Sequence, residues 1–412
     1  MIKKYALFVA IICIAFAVNA QSHFKIKNGT WKAALERADG HSIVFDFEVT
    51  QENNKPVWYV LNAGERIRVD EISVLKDSLI VKMPFFESEF HLAMDAKENL
   101  TGMWFKQTSR NDSWMKFYAE PGNERFPVDN KKPVTNISGR WAVDIVRPNN
   151  TVRPAIAEFK QIGNYLTGTF LTPSGDARFL EGVVNGDSLF LSTFDGSHAY
   201  SFSAKIIDTG KISGGWFYQG YSYKEAWSAT KNEHASLDAS IHPPTLKDGA
   251  KKLDFAFKNM EGQTVSINDE RFKNKVVIVQ IMGSWCPNCM DETEFLSKFY
   301  DANKSRGIEV VSLAYEASTD FDRSVKSLRK FQQRFNVKYP MLITGVWVND
   351  ELLTEKTLPQ ITTIKAFPTI LFLDRKGEVR KIHSGFYGPG SLEEFEKFKK
   401  EFYETINSLI DD

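Results

Sequence analysis

The chain repeats itself. Asn28-Gly29-Thr30-Trp31 returns as Ser138-Gly139-Arg140-Trp141, and Asp77-Ser78-Leu79-Ile80-Val81 returns as Asp187-Ser188-Leu189-Phe190-Leu191, each 110 residues on. Leu100-Thr101-Gly102-Met103-Trp104-Phe105 returns as Ile212-Ser213-Gly214-Gly215-Trp216-Phe217 at a shift of 112. Three anchors held in one order imply a duplicated unit of roughly 100 residues, and the two copies are expected to fold alike. Alternating runs such as Ser42-Ile43-Val44-Phe45-Asp46-Phe47-Glu48-Val49 lie between turn signals at Ala38-Asp39-Gly40 and Glu52-Asn53-Asn54, the pattern of short strands with one buried face. No long stretch of this half has helical period. Residues 21–130 and 131–231 are therefore read as two all-β modules, barrels or sandwiches, joined near Asn130-Lys131-Lys132-Pro133. The repeated Trp31, Trp104, Trp141 and Trp216 are expected to fill the module cores or plug barrel ends. No group of His, Asp or Glu in this half has ligand or triad spacing, so no catalysis is expected there.

At 412 residues the chain exceeds one ordinary core, and its 52 basic against 52 acidic residues argue against a nucleic-acid surface. The three cysteines are Cys13, Cys286 and Cys289. Cys13 lies in a segment with Lys3-Lys4, an apolar run from Tyr5 to Val18, and small residues at Val18 and Ala20, the pattern of a signal peptide spanning residues 1–20 and cleaved before Gln21. The run is short for a membrane anchor. Ala10-Ile11-Ile12 also lacks the small residue that precedes a lipidated cysteine. The expectation is export to the periplasm or cell envelope, with Cys286 and Cys289 as the cysteines that remain. Residues 232–250 are polar, contain Pro243-Pro244 and read as a linker, its His234 and His242 solvated.

From about Leu253 strands alternate with helices. Asp254-Phe255-Ala256-Phe257-Lys258 and Val265-Ser266-Ile267 read as strands, and the run from Val276 to Met282, apolar but for Gln280, as a fully buried one. Gly283-Ser284-Trp285-Cys286-Pro287-Asn288-Cys289 follows, and then a helix with Glu292, Phe295, Leu296 and Phe299 on its inward stripe. Cys286 thus sits at a helix N-terminus, where unpaired N–H groups and the dipole favour a thiolate, with Cys289 one turn on and within disulfide reach. Glu309–Ala314 is a second buried strand, 322–335 an amphipathic helix, 369–373 and 379–382 a hairpin, and 392–409 a closing helix. Between them, the insert 344–363, with Trp347 and Leu352-Leu353, reads as a lid or docking surface, or as a helical insertion packed on the sheet edge.

Residues 251–412 resemble the thioredoxin superfamily, and within it the exported TlpA/ResA-like thiol–disulfide oxidoreductases. The resemblance rests on Trp285-Cys286-Pro287-Asn288-Cys289 after a buried strand, on Ala366-Phe367-Pro368-Thr369 leading into another, and on the strand pair around Asp254-Phe255 and Gly262. It implies a thioredoxin-like α/β domain after the two β modules. It also implies Cys286 as the attacking nucleophile, Cys289 as the resolving thiol and Pro368 as a cis-proline, with Trp285 and Phe367 contacting substrate. Glu292 matches the offset of a functional glutamate in ResA-like proteins and is expected to be buried, with a raised pKa, and to carry the Cys289 proton. Gln280 stands where thioredoxins keep a buried aspartate. Asp291 and Glu294 are expected on solvated faces. The modules' opening Gly-x-Trp resembles lipocalin-type barrels.

Zinc would need two further ligands where this domain offers only His383, so no metal is expected, nor any other cofactor. The partners implied are protein disulfide substrates and a membrane-bound electron donor. The rival expectation is an envelope binding protein whose β modules capture a ligand or partner, with the redox domain regulatory.

Overall fold

The computed structural model describes residues 26–411 apart from 76, 108–112, 123, 127–128, 130 and 238–242. The expected leader and His242 lie outside the described residues.

The first module runs β1 (Gly29–Glu36), β2 (Ser42–Glu52), β3 (Lys55–Asn62), β4 (Glu65–Val69), β5 (Glu71–Leu75), β6 (Ser78–Lys82), β7 (Ser88–Met94), β8 (Leu100–Lys106) and β9 (Ser113–Pro121). Each strand pairs antiparallel with its neighbour in sequence, save β4 and β5, and β9 returns to β1. β4 pairs with β3 and β5 with β6, with Asp70 alone between them, so the bent chain closes the ring. The second module runs β10 (Gly139–Val146), β11 (Val152–Ile162), β12 (Tyr165–Thr172), β13 (Gly175–Asp176), β14 (Leu180–Asn185), β15 (Ser188–Phe194), β16 (Ala199–Ile206), β17 (Lys211–Gln219) and β18 (Tyr223–Lys231). Here β10 pairs with both β11 and β18, and β11 with β12, which closes a barrel by hydrogen bonds throughout.

The duplication extends to local detail. Gly29 and Gly139 hold φ of 114° and 108°, a region that favours glycine over residues with a Cβ. The indole N–H of Trp31 donates to Lys27 O and that of Trp141 to Ile137 O, both at 2.9 Å, and both rings are buried. Trp104 is also buried. Trp216 is not: it is 40% exposed, under the Lys224 ammonium at 5.1 Å. The β17–β18 register shifts between Ile212 and Gly215, and an irregularity of that kind reverses which side chains face inward. Phe217 takes the interior place against Phe202, centroids 4.6 Å apart. Trp216→Ala is accordingly expected to change unfolding stability by less than about 1 kcal/mol in a denaturant titration.

The barrels lock together. Phe194, at the end of β15, stacks on Phe45 of the first barrel at 4.3 Å, and Asn62 bonds its backbone twice, Nδ2 to Phe194 O at 2.7 Å and Oδ1 from Phe194 N at 3.2 Å. Arg37 donates to Gln219 O and Gly220 O across the same seam.

The third unit consists of β19 (Ala256–Asn259), β20 (Thr264–Ser266), β21 (Val276–Met282), α1 (Pro287–Asn303), β22 (Ile308–Ala314), α2 (Phe321–Phe335), β23 (Met341–Ile343), α3 (Leu353–Thr357), β24 (Thr369–Leu373), β25 (Val379–Ser384) and α4 (Leu392–Asp411). Its sheet order is β20-β19-β23-β22-β21-β24-β25, with β21, β22 and β23 parallel and β24 antiparallel to β21. This is a thioredoxin fold. All of β21 and β22 is buried, as largely apolar strands in a doubly covered sheet must be, with Gln280, Glu309 and Ser312 the polar exceptions. β23 falls where the sequence suggests only a polar connection, because three residues carry too little periodicity to be seen. The 344–363 insert forms α3 and packs against the sheet. Thr354 and Thr357 are buried and Tyr315 OH meets Thr357 Oγ1 at 2.7 Å, while Leu352 points outward.

Both barrels grip this domain. Glu87 of the first receives Arg323 of α2 (Nη2 at 2.7 Å) and Ser327 Oγ. The second barrel lays residues 172–178 over the start of α1.

Candidate active site

Cys286 is the N-cap residue of α1, with φ −101° and ψ 114°. Its Sγ accepts the backbone N–H of Cys289 at 3.2 Å, one of the donors a helix start leaves open. Pro287 fits at the first helical position because its missing N–H would have had no partner there. Cys286 and Cys289 are joined as a disulfide, Cα atoms 5.2 Å apart, and are 4% and 0% exposed. The Phe367–Pro368 bond is cis, and Phe367 O lies 3.7 Å from Cys286 Sγ. Trp285 is held by a hydrogen bond from its indole to Tyr315 O at 2.8 Å and packs edge-on to Phe367 at 5.4 Å. Cys286, Cys289, Trp285, Phe367 and Pro368 therefore converge on one end of the sheet, at the carboxyl ends of β21 and β22.

Glu292 lies one turn beyond Cys289 and is 0% exposed. Gln280 Nε2 donates to its Oε2 at 2.9 Å, and Ser312 Oγ donates to Gln280 Oε1 at 2.6 Å. Among the described residues no hydrogen bond reaches Oε1. Burial pushes its pKa up to about 8, against the smaller opposing effect of the Gln280 hydrogen bond.

Two groups of residues at the site carry little sequence signal. Glu316, just past β22, accepts from Ser284 N at 2.9 Å and Ser284 Oγ at 2.5 Å, which fixes the loop before the cysteines. It is buried, with its pKa pushed up to about 7. An acid at the carboxyl end of the strand beside the motif strand was the available signal.

The other group comes from the second barrel. Asn288, between the cysteines, donates from Nδ2 to Asp176 Oδ1 at 3.0 Å. Arg178 grips Asp291 with two bonds of 2.8 Å and reaches Asp195 at 3.1 Å and Glu65 of the first barrel at 2.6 Å. Asp291 is thus 7% exposed and ion-paired, against the solvated position expected for it. Helical spacing turns Asp291 away from its own domain's core, and a barrel covers that face. The β modules also hold an acidic cluster that linear spacing does not reveal, since Glu65 and Asp195 stand 130 residues apart. Burial raises the pKa of Asp291 and Glu65 even against the Arg178 charge.

Residues 247–398 match the Redoxin family model. The chain is 23% identical over 149 residues to the thiol-disulfide oxidoreductase ResA of Halalkalibacterium halodurans, covering 36% of this chain and 74% of that protein. It is 24% identical over 152 residues to ResA of Bacillus thuringiensis subsp. konkukian, covering 37% and 78%. A thioredoxin-family thiol:disulfide interchange protein of Chlorobium tepidum TLS is similar in structure, with 18% identity and a TM-score of 0.30, over 42% of this chain and 99% of that one. The C-terminal unit is a redoxin domain of thiol–disulfide oxidoreductase type, and the barrels precede the match.

Proposed function

We propose that this thioredoxin-fold oxidoreductase reduces or isomerises disulfides of other proteins in the periplasm or cell envelope, and that a membrane-bound dithiol partner returns its electrons. The observation that carries the reading is Cys286 as a helix N-cap, its sulfur already accepting a backbone N–H that would stabilise a thiolate. The leader-like segment before Gln21 supports export.

In the reduced enzyme the Cys286 thiolate attacks one sulfur of a substrate disulfide. A mixed disulfide forms, the substrate S–S bond breaks, and the departing substrate thiolate takes up a proton. Cys289 then attacks Cys286 Sγ, breaks the mixed disulfide and releases the second substrate thiol. Glu292 receives the Cys289 proton, a role for which a group titrating at about 8 holds both acid and base forms near neutrality. Two electrons pass to the substrate and the Cys286–Cys289 disulfide is restored. In the isomerase mode the mixed disulfide is resolved by another thiol of the substrate. Trp285 and Phe367 supply the apolar contact, and the backbone before Pro368, beside Cys286 Sγ, pairs with an extended substrate segment.

Cys289→Ser incubated with insulin is expected to accumulate a mixed disulfide that dithiothreitol releases, with catalytic turnover lost. Absence of the adduct, or its persistence in Cys286→Ser/Cys289→Ser, would overturn the assignment.

A further inference from the structure

The second barrel reaches the redox motif with backbone as well as side chains. Gly175 forms a parallel bridge with Phe386, and a Cβ placed on it would lie 2.7 Å from Asn288 Cγ. On the opposing loop, a Cβ on Gly388 would lie 2.8 Å from Asp291 Oδ2, and one on Gly390 would lie 2.7 Å from the Arg178 backbone. Glycine on both sides is what lets two domains approach this closely. Arg178 itself holds φ of 56°, a conformation that residues other than glycine rarely keep without strong tertiary contacts.

Asp176 occupies the centre of this contact and is 6% exposed. Its Oδ1 accepts from Asn288 Nδ2 at 3.0 Å and from Arg178 N at 3.1 Å, and its Oδ2 accepts from Gly388 N at 2.9 Å. The loop that bears it therefore binds the dipeptide between the cysteines. Two residues further on, the same loop binds Asp291 on the next turn of α1 through Arg178.

We propose that residues 175–178 of the second barrel are a working part of the redox site, with Asp176 a positioning residue that acts through Asn288 to lower the reduction potential of the Cys286–Cys289 pair. This rests on the oxidoreductase reading above.

The sign follows from charge. The oxidised pair is neutral, whereas the reduced pair at alkaline pH carries the Cys286 thiolate. A carboxylate bonded to the residue between the sulfurs disfavours that thiolate and so disfavours the reduced form. Burial, and then the charge of Asp291, push the Asp176 pKa up to about 7, so the carboxylate is the main form at pH 8. The other ionisable groups around it are Arg178, Tyr387, and, across a cavity of about 230 Å³, His198, Tyr200 and Arg153. This arrangement gives the duplicated barrels a direct role in the chemistry.

The test is a redox titration of the full chain against dithiothreitol at pH 8, with the fraction of Cys286 and Cys289 oxidised read by thiol alkylation. Asp176→Asn is expected to favour the reduced pair by about tenfold, a rise of roughly 30 mV. Asn288→Ala removes the bond that couples this charge to the redox pair and is expected to shift the equilibrium in the same direction. The double variant is expected to shift no further than the larger single, since one variant removes the charge and the other its coupling to the pair. Additive shifts, or a change below threefold in both single variants, would overturn the proposal. If Asp176→Asn does not fold, the shift in Asn288→Ala decides alone. Failure of the underlying reading would look different, because the wild-type pair would then show no reversible titration and no insulin reduction.

Discussion

Arg178→Met is expected to destabilise the protein by about 3–5 kcal/mol at pH 8, read from the midpoint of a denaturant titration. Arg178 is buried, and its guanidinium is shared by Asp291 of α1, Asp195 of its own barrel and Glu65 of the other. Methionine keeps much of the volume and removes the charge, leaving three buried carboxylates facing one another. Lys106 lies nearby, but burial lowers its own pKa to about 8, so it is a weak substitute for a guanidinium. His198 lies 3.1 Å from Asp195 and reaches neither of the other two acids. The cost should depend on pH in a definite direction. Loss of Arg178 raises the folded-state pKa of Glu65 and Asp291 further above their unfolded values. Stability of the variant is then lost as pH rises from about 4 through the new folded pKa values, and the deficit against wild type shrinks at pH 5. A cost below about 1 kcal/mol at both pH values would show that this cluster does not hold the three units together.

Glu292→Gln should abolish a pH dependence of stability and at the same time impair resolution. A carboxyl whose folded pKa is raised from 4.5 to about 8 leaves stability intact below the unfolded value and removes it progressively as pH climbs to the folded one. A tenfold difference in acidity between the folded and unfolded chain corresponds to about 1.4 kcal/mol, so wild type should lose a few kcal/mol between pH 5 and pH 8 from this group. Glutamine presents the same shape without ionising, so this component of the loss should be missing from the variant, while that of the other buried acids remains. The variant should therefore be the more stable protein at pH 8. Its chemistry should suffer where the proton of Cys289 moves. Formation of the mixed disulfide by Cys286 should be little changed, while its resolution slows by about a hundredfold or more in rapid-mixing kinetics quenched with acid. Equal resolution rates in the two proteins would remove Glu292 from the mechanism.

Much of the site is legible in the order of residues alone. The largely apolar run Val276–Met282 reads as a doubly covered strand, and the helical spacing after it places the cysteine pair at a helix start. Glu292 follows from helical spacing, because a helix that packs one face on its own sheet announces that face in sequence. Other residues show where such reasoning stops. Asp291 is one position away from Glu292, and the same spacing points it toward solvent, although Arg178 buries it. Trp216 aligns with Trp104 in the repeat, and a shift in strand register between Ile212 and Gly215 turns it outward. Glu316 gives no periodic signal, since a single acid after a strand looks like any loop residue.

The order of the units, the duplication, the buried sheet and the cysteine pair were determined by the sequence itself. All of them are expressed in local spacing, which backbone geometry converts directly into a face or a helix end. The tertiary structure alone decided what covers the outer face of α1. The contacts of Asp176 with Asn288 and of Arg178 with Asp291 join positions more than 110 residues apart. Their residue types match those of ordinary surface charges, and only closure of the second barrel onto the redox domain takes them out of water and makes their pairing matter.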